Sequence, residues 1–183
     1  MEIEEMSDEI FYSYLAGLID SDGCFSIPIS LRRTDRGKEW VNIRPMIRIG
    51  WGEYTNGALR RIRDRVGLGK IYLSNSGTNY AVIYWQTTNW GDTVDVCKKV
   101  LPYIFIKRAQ CKKMLYIGEK FIQVNARCRK NKPKELILEL AKISCTLNPE
   151  IRQTKRYRDC KNFDYWKPII ERLYPNKSKM LIQ

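Results

Sequence analysis

Asp20 and Asp22, one residue apart in the run Asp20-Ser21-Asp22-Gly23, are the side chains of this chain best placed to do chemistry. The chain has no histidine, which removes histidine general bases, His–Asn nucleases and the usual zinc sites. Six cysteines stand at positions 24, 97, 111, 128, 145 and 160 with no C-x-x-C pair, so they read as free, mostly packed thiols of a reducing compartment. Metal chemistry must therefore rest on oxygen ligands, and these favour Mg²⁺ or another hard divalent cation. An EF-hand loop starting at Asp20 is excluded, because its fifth, sixth and twelfth positions would be Cys24, Phe25 and Leu31. The competing reading of the same four residues is a polar turn between a helix and a strand.

The element that must position these carboxylates is a helix beginning near Asp8. Ser7 is its N-cap, and Met6 can staple onto Phe11. Phe11, Leu15 and Leu18, flanked by Tyr14 and Ile19, share one face at helical spacing. Ser13, Gly17 and Ser21 fall on another, four apart, with Ala16 and Asp20 beside them. That second stripe has almost no side chain, so another helix can approach it closely, which is one way to offset the roughly 0.8–1 kcal/mol a helical glycine costs. Gly23 ends the helix and leaves Asp22 at its C-terminus, where the macrodipole disfavours a carboxylate unless a cation joins it. Two such helices packed together would bring two Asp22 side chains to one place.

Tyr14 to Phe25 reads Y-L-A-G-L-I-D-S-D-G-C-F. It resembles the signature of the LAGLIDADG homing endonucleases, departing from L-A-G-L-I-D-x-D-G only in having Ser21 where that family has alanine or glycine. The resemblance implies an α+β fold of αββαββα units whose antiparallel four-stranded sheet binds DNA. It implies a homodimer through the motif helix, with Ser13, Ala16, Gly17, Asp20 and Ser21 at the interface. It implies that Asp22 and its symmetry mate bind the catalytic metals, with the backbone carbonyl of Ser21 nearby. Leu101-Pro-Tyr-Ile-Phe-Ile-Lys107 also looks like a phrase of that family, and by this likeness Lys107 is the lysine that reaches the scissile phosphates. The family often places a polar or basic residue after the second strand to order water. That region here reads Gly50-Trp51-Gly52-Glu53, which offers Glu53 as a weak catalytic candidate and Trp51 as a misfit.

After Gly23 the period changes to two. Phe25, Ile27, Ile29 and Leu31 alternate with Ser26, Pro28, Ser30 and Arg32, and a polar turn follows from Arg33 to Lys38. Val41, Ile43, Ile47 and Ile49 alternate with Asn42, Arg44, Met46 and Arg48, with Pro45 on the core side. Pro28 and Pro45 mark local edges or bulges. A helix from Thr55 or Asn56 carries Leu59, Ile62 and Val66 inward and stops at Gly67. Strands at 71–74 and 80–87 and helices at about 92–100 and 107–122 complete the unit. The outward strand residues form the expected DNA-reading surface: Ser26, Pro28, Ser30, Arg32, Arg33, Asn42, Arg44, Met46, Arg48, Tyr72, Ser74 and Asn79.

This places the endonuclease core at residues 1–125 and a basic, helical C-terminal extension at 126–183, packed on the core. The extension has basic stretches at 127–134 and 152–161, and helices marked by Leu136, Leu140 and Ile143 and by Tyr165-Trp166. A net charge of +13 favours a polyanionic partner, nucleic acid before a membrane, and the resemblance implies that it is double-stranded DNA. The acidic, polar N-terminus is no signal peptide, and no apolar run approaches a membrane span. An intracellular, DNA-containing compartment follows. One motif copy calls for a second chain. A strand of about ten residues spans roughly 33 Å, near one duplex turn, so two chains would cover a long pseudo-palindromic site. The implied reaction is metal-dependent phosphodiester hydrolysis across the minor groove, leaving 3′ overhangs. Two other readings stay open: a maturase that binds intron RNA, and a DNA-binding protein with a dead site.

Overall fold

Helix α1 (Asp8–Ser21) forms where its sequence signals it. Ser7 Oγ accepts from the Ile10 N–H at 3.4 Å, and Asp8 and Glu9 favour the positive end of the helix dipole. In this computed structural model, which describes residues 2–52, 56–74, 82–124, 133–148 and 161–175, a single 3-10 turn (Ile3–Glu5) precedes it. The buried face of α1 is Phe11, Tyr12, Leu15, Ala16 and Ile19, so the core stripe is rotated from the expected Phe11, Leu15 and Leu18. Tyr12 can go inside because Lys99 Nζ donates to its hydroxyl at 2.9 Å and lies 4.9 Å from its ring centroid.

The two long strands expected between Phe25 and Ile49 are four. Strands β1 (Gly23–Ser26) and β2 (Ile29–Arg33) are separated at Pro28, and β3 (Glu39–Ile43) and β4 (Met46–Gly52) at Pro45. Proline has no N–H for the ladder, and the interruption is bridged by one bond, from the Arg44 N–H to the Pro28 carbonyl at 3.2 Å. Helix α2 (Asn56–Val66) follows, and Gly67 after it takes φ +71°, the left-handed geometry that suits glycine. Then come β5 (Lys70–Ser74), β6 (Val82–Gln86), α3 (Trp90–Val100), α4 (Arg108–Gln123), α5 (Lys134–Thr146) and α6 (Phe163–Leu173).

The chain divides into two compact units. One comprises Met1–Ser26 and Pro45–Glu119, the other Ile27–Arg44 and Lys120–Gln183. The hairpin at 27–44, expected inside a core ending at 125, thus clusters with the C-terminal helices. In the first unit an antiparallel four-stranded sheet has the order β1-β4-β6-β5. One face packs Phe25, Ile47, Ile49, Ile83 and Trp85 into the core with Leu59 and Ile62 of α2. The core's two buried polar side chains among the described residues are satisfied. Thr87 Oγ1 accepts from the Ile47 N–H at 3.0 Å and meets Thr93 Oγ1 at 2.8 Å.

In the second unit β2 and β3 pair as a two-stranded ribbon, with Leu31 opposite Val41 and Ile29 opposite Ile43. Helix α5 packs on α6, and α6 on β3. Ser144 Oγ donates to the Ile27 carbonyl, and Arg172 of α6 binds Glu39 of β3 at 2.8 Å. No described helix is long and apolar enough to cross a membrane. The four described cysteines are free thiols, with Cys97 and Cys111 buried and Cys24 and Cys145 half-buried. Of the basic stretches at 127–134 and 152–161, residues 127–132 and 152–160 lie outside the described residues.

Candidate functional site

The C-terminal turn of α1 brings the two aspartates to different places. Asp22 is the C-cap: its N–H bonds the Leu18 carbonyl at 2.9 Å, and its side chain is exposed. Gly23 follows because a Cβ there would stand 2.6 Å from the Ile19 Cα and 2.9 Å from the Ile19 carbonyl oxygen. The sharp exit from helix to β1 therefore has no room for a side chain, and that exit fixes where Asp22 sits.

Asp20 turns the other way. Its Oδ2 accepts from the N–H groups of Phe105 at 2.7 Å and Ile106 at 3.0 Å, and its Oδ1 from the Lys107 N–H at 2.8 Å. These N–H groups lie in the turn just before α4 (Arg108–Gln123), so Asp20 ties that turn to the end of α1. Both carboxylate oxygens of Asp20, a residue expected at the dimer interface, are thus bonded within the chain. Asp20→Ala should lower stability by about 2 kcal/mol, because charge-assisted bonds to three backbone N–H groups go together. Thermal unfolding should show a drop of about 4–8 °C for a chain of this size, and Asp20→Asn should fall by less than half as much. An alanine variant melting with the wild type would remove the tying role.

Lys107 reaches back to the same helix end. Its Nζ donates to the carbonyls of Ile19 at 2.8 Å and Asp20 at 2.5 Å, and lies 3.5 Å from that of Ser21. A cation at the negative end of a helix is favourable, so in this structure the lysine serves as a C-cap beside Asp22. Burial pushes the Cys24 thiol up, against the opposing pull of Arg48 and Lys107. Cys24 therefore stays a neutral neighbour and not a nucleophile.

One oxygen of Asp22 has a partner that the sequence did not announce. Trp51 Nε1 donates to Asp22 Oδ2 at 3.1 Å, while no described residue donates to Oδ1. Among the described residues no three acidic or cysteine side chains cluster, so one chain offers a cation the Asp22 carboxylate and nearby backbone carbonyl oxygen. These are hard donors at a negative helix end, and they suit a hard divalent ion. Glu53 lies outside the described residues.

The other face of the four-stranded sheet carries Cys24 and Ser26 of β1, Met46, Arg48 and Gly50 of β4, Tyr84 and Gln86 of β6, and Lys70, Tyr72 and Ser74 of β5, as the register requires. Arg48 is held there. Its Nε donates to Gln86 Oε1 at 2.8 Å, and its guanidinium lies 4.7 Å from the Tyr84 ring centroid. The Tyr84 ring lies against Gly50, where a Cβ would meet ring carbons at 2.4 and 2.5 Å. Tyr84, Gln86 and Lys70 were missed by the sequence reading, although period two counted across the β4–β6 pairing places them beside Arg48. Met46 and Ser74 are half-buried and Tyr72 is exposed on this face. Ser26 is half-buried, and its hydroxyl bonds no described residue. Asn79 lies outside the described residues.

On the β2–β3 ribbon, Ser30, Arg32 and Asn42 share one face with Trp40, which was not anticipated. Arg33 is on the opposite face. It binds Glu39 at 2.6 Å, and this bond, with Arg172, holds the Glu39 carboxyl below its usual range. Arg33, expected on the DNA-reading surface, is thus a tie within the ribbon in the single chain. Pro28 and Arg44 are exposed between strands.

Of the small stripe on α1, Ser13, Gly17 and Ser21 are exposed, while Ala16 beside them is wholly buried in the chain's own core. Beside the open positions Ile10 and Tyr14 are exposed, and the loop tied down by Asp20 exposes Phe105 at 86% and Ile106 at 71%. Two large apolar side chains so bare are unusual on a monomer's surface.

A family model described as LAGLIDADG endonuclease matches residues 15–117. The chain is 27% identical over 120 residues to the DNA endonuclease I-CvuI of Chlorella vulgaris, 66% of this chain and 71% of that protein. A crystal structure of I-CvuI in complex with its target superposes with a TM-score of 0.72 at 21% identity, covering 91% of this chain and 96% of that one. The group I intron-encoded homing endonuclease I-CeuI, complexed with DNA, matches with a TM-score of 0.66 at 15% identity, over 93% and 79% of the two chains. The meganuclease I-AabMI, bound to uncleaved DNA, matches with a TM-score of 0.59 at 20% identity, over 82% of this chain and 50% of its own.

Proposed function

The chain belongs to the LAGLIDADG endonuclease family, and from that premise we propose that two copies act together on double-stranded DNA, hydrolysing phosphodiesters at one long target with a hard divalent cation. The observation that carries this reading is Asp22, an exposed carboxylate at the negative end of α1, with no described residue donating to Oδ1 and Ser13, Gly17 and Ser21 of its helix exposed.

One carboxylate is too few to hold a hydrolytic metal centre. Pairing α1 with α1 of a second copy supplies the other, because Asp22 lies at the end of the helix that would form the interface. The match of this chain to half of I-AabMI supports the same arithmetic, two such folds to one larger molecule. Magnesium fits the oxygen donors; when bound, it activates water for attack and stabilises the leaving oxygen. Asp22 would hold the ion, with the Ser21 carbonyl beside it. Lys107, which needs only to leave carbonyl oxygens, would neutralise charge developing on phosphate. Ser30, Arg32, Asn42, Arg44 and Arg48 would read bases or hold phosphates.

Arg48 is already fixed by Gln86 and Tyr84, so less rotamer freedom is lost when it binds a base. Arg48→Ala should relax discrimination at one base pair by about 1–3 kcal/mol if the contact is bidentate to guanine. Binding to a panel of single-base target variants measures this. Equal weakening on every sequence would make Arg48 a phosphate contact only.

The direct test incubates the purified protein and Mg²⁺ with DNA carrying candidate insertion sites and sequences the new ends. Double-strand breaks with 3′ overhangs at one site, abolished by EDTA, are the expected result. Metal-independent cleavage, or none on any site, would remove the reading.

A further inference from the structure

We propose that Trp51 is a positioning residue for Asp22, its indole N–H holding one carboxylate oxygen so that the other is presented to the metal; this rests on the metal-ligand reading of Asp22. Trp51 lies in β4 opposite Ile83 of β6, so its backbone is fixed by the sheet. Asp22 lies at the end of α1, and its side chain is exposed. An exposed aspartate samples several rotamers, and a ligand with free rotamers binds an ion less tightly than one already oriented. The bond from Trp51 Nε1 to Asp22 Oδ2 at 3.1 Å removes that freedom.

Chemistry limits what else Trp51 can do there. An indole N–H is a donor only, with no acceptor atom, and it does not ionise near neutral pH. It cannot take a proton from water, so it is no substitute for a polar residue that orders the nucleophile. It can only hold an acceptor, and Asp22 Oδ2 is the acceptor it holds. The bond leaves Oδ1, to which no described residue donates. The same bond makes the indole proton a neighbour of any ion bound by Asp22.

The test uses Trp51→Phe, which keeps an aromatic ring and removes the N–H, beside Asp22→Asn. In the ¹⁵N-labelled wild type, which has five tryptophans, the indole signal missing from Trp51→Phe belongs to Trp51. Substoichiometric Mn²⁺ should broaden that signal first, and Asp22→Asn should abolish the effect. Trp51→Phe should raise the Mg²⁺ concentration for half-maximal cleavage about tenfold, within the range found for outer partners of metal ligands. Saturating Mg²⁺ should restore most of the rate. Unchanged metal dependence in Trp51→Phe, with Asp22→Asn inactive, would overturn the positioning role and leave the metal site standing. A Trp51 indole signal indifferent to Mn²⁺ while cleavage proceeds would also overturn it. An active Asp22→Asn would overturn both the role and the site.

Discussion

Asp22→Asn should lower the rate of DNA cleavage by on the order of a thousandfold or more while leaving the fold intact. The substitution is nearly isosteric, and an asparagine oxygen can still accept from Trp51 Nε1, so the bond that fixes the side chain survives. Asparagine also serves well at a helix C-terminus. What is lost is the charge, and charge at a helix's negative end is useful only to a cation. Melting temperature without metal should therefore hold or rise. DNA binding in EDTA should hold or tighten, because two like charges leave the neighbourhood of the phosphates when both copies are changed. A turn residue predicts the contrary, since asparagine fills polar turns as readily as aspartate. Cleavage at the wild-type rate would remove Asp22 from the metal site and leave this chain without a candidate for it.

Why one aspartate is left exposed at the helix end and its neighbour is bonded within the chain was not legible from sequence. Both belong to the same motif and differ by two positions, but the partners of Asp20 lie 85 to 87 residues away in the turn before α4. Local pattern carries no trace of that contact, nor of the one between Trp51 and Asp22. By contrast, α1 was readable because its cap, periodicity and terminating glycine are all local, and α2 for the same reason. The interrupted strands show a middle case. Period two runs on through Pro28 and Pro45, and Pro45 is even buried, so side-chain pattern alone described one strand where the missing N–H makes two. Arg33 shows a signal that was present and unused, because it follows Arg32 by one residue and must point to the other face of the ribbon. Ala16 was harder. It sits between the small stripe and the core, and only packing puts it inside.

Lys107 joins these observations. Asp20 anchors the N–H groups of 105–107, and Lys107 then folds back onto the carbonyls at the end of α1. The turn before α4 and the end of α1 are thereby locked to each other, each satisfying the other's unpaired backbone groups. The same lock presents Phe105 and Ile106 to solvent next to the bare face of α1. An apolar surface held rigid in this way loses little conformational entropy when it meets a partner, which is what a dimer built on that helix would need.

Gly17 provides the sharpest test of that dimer. A Cβ at Gly17 would meet nothing within 4 Å in a single chain, so the chain's own packing does not require glycine there. Gly17→Leu should therefore improve the isolated helix, by about 0.8 kcal/mol on helix propensity, and leave the monomer folded. A second helix crossing at Gly17 would instead meet an isobutyl group where backbone must approach backbone. The expected outcome is a protein that sediments as a monomer at micromolar concentration, melts cooperatively with secondary structure intact, and no longer cuts both strands. Gly17→Ala, with one added methyl, should fall between the two. Loss of cleavage in Gly17→Leu without loss of the dimer would place the glycine in catalysis or DNA approach, not at the crossing. A wild-type monomer that cleaves its target would overturn the paired site, since a single Asp22 would then suffice.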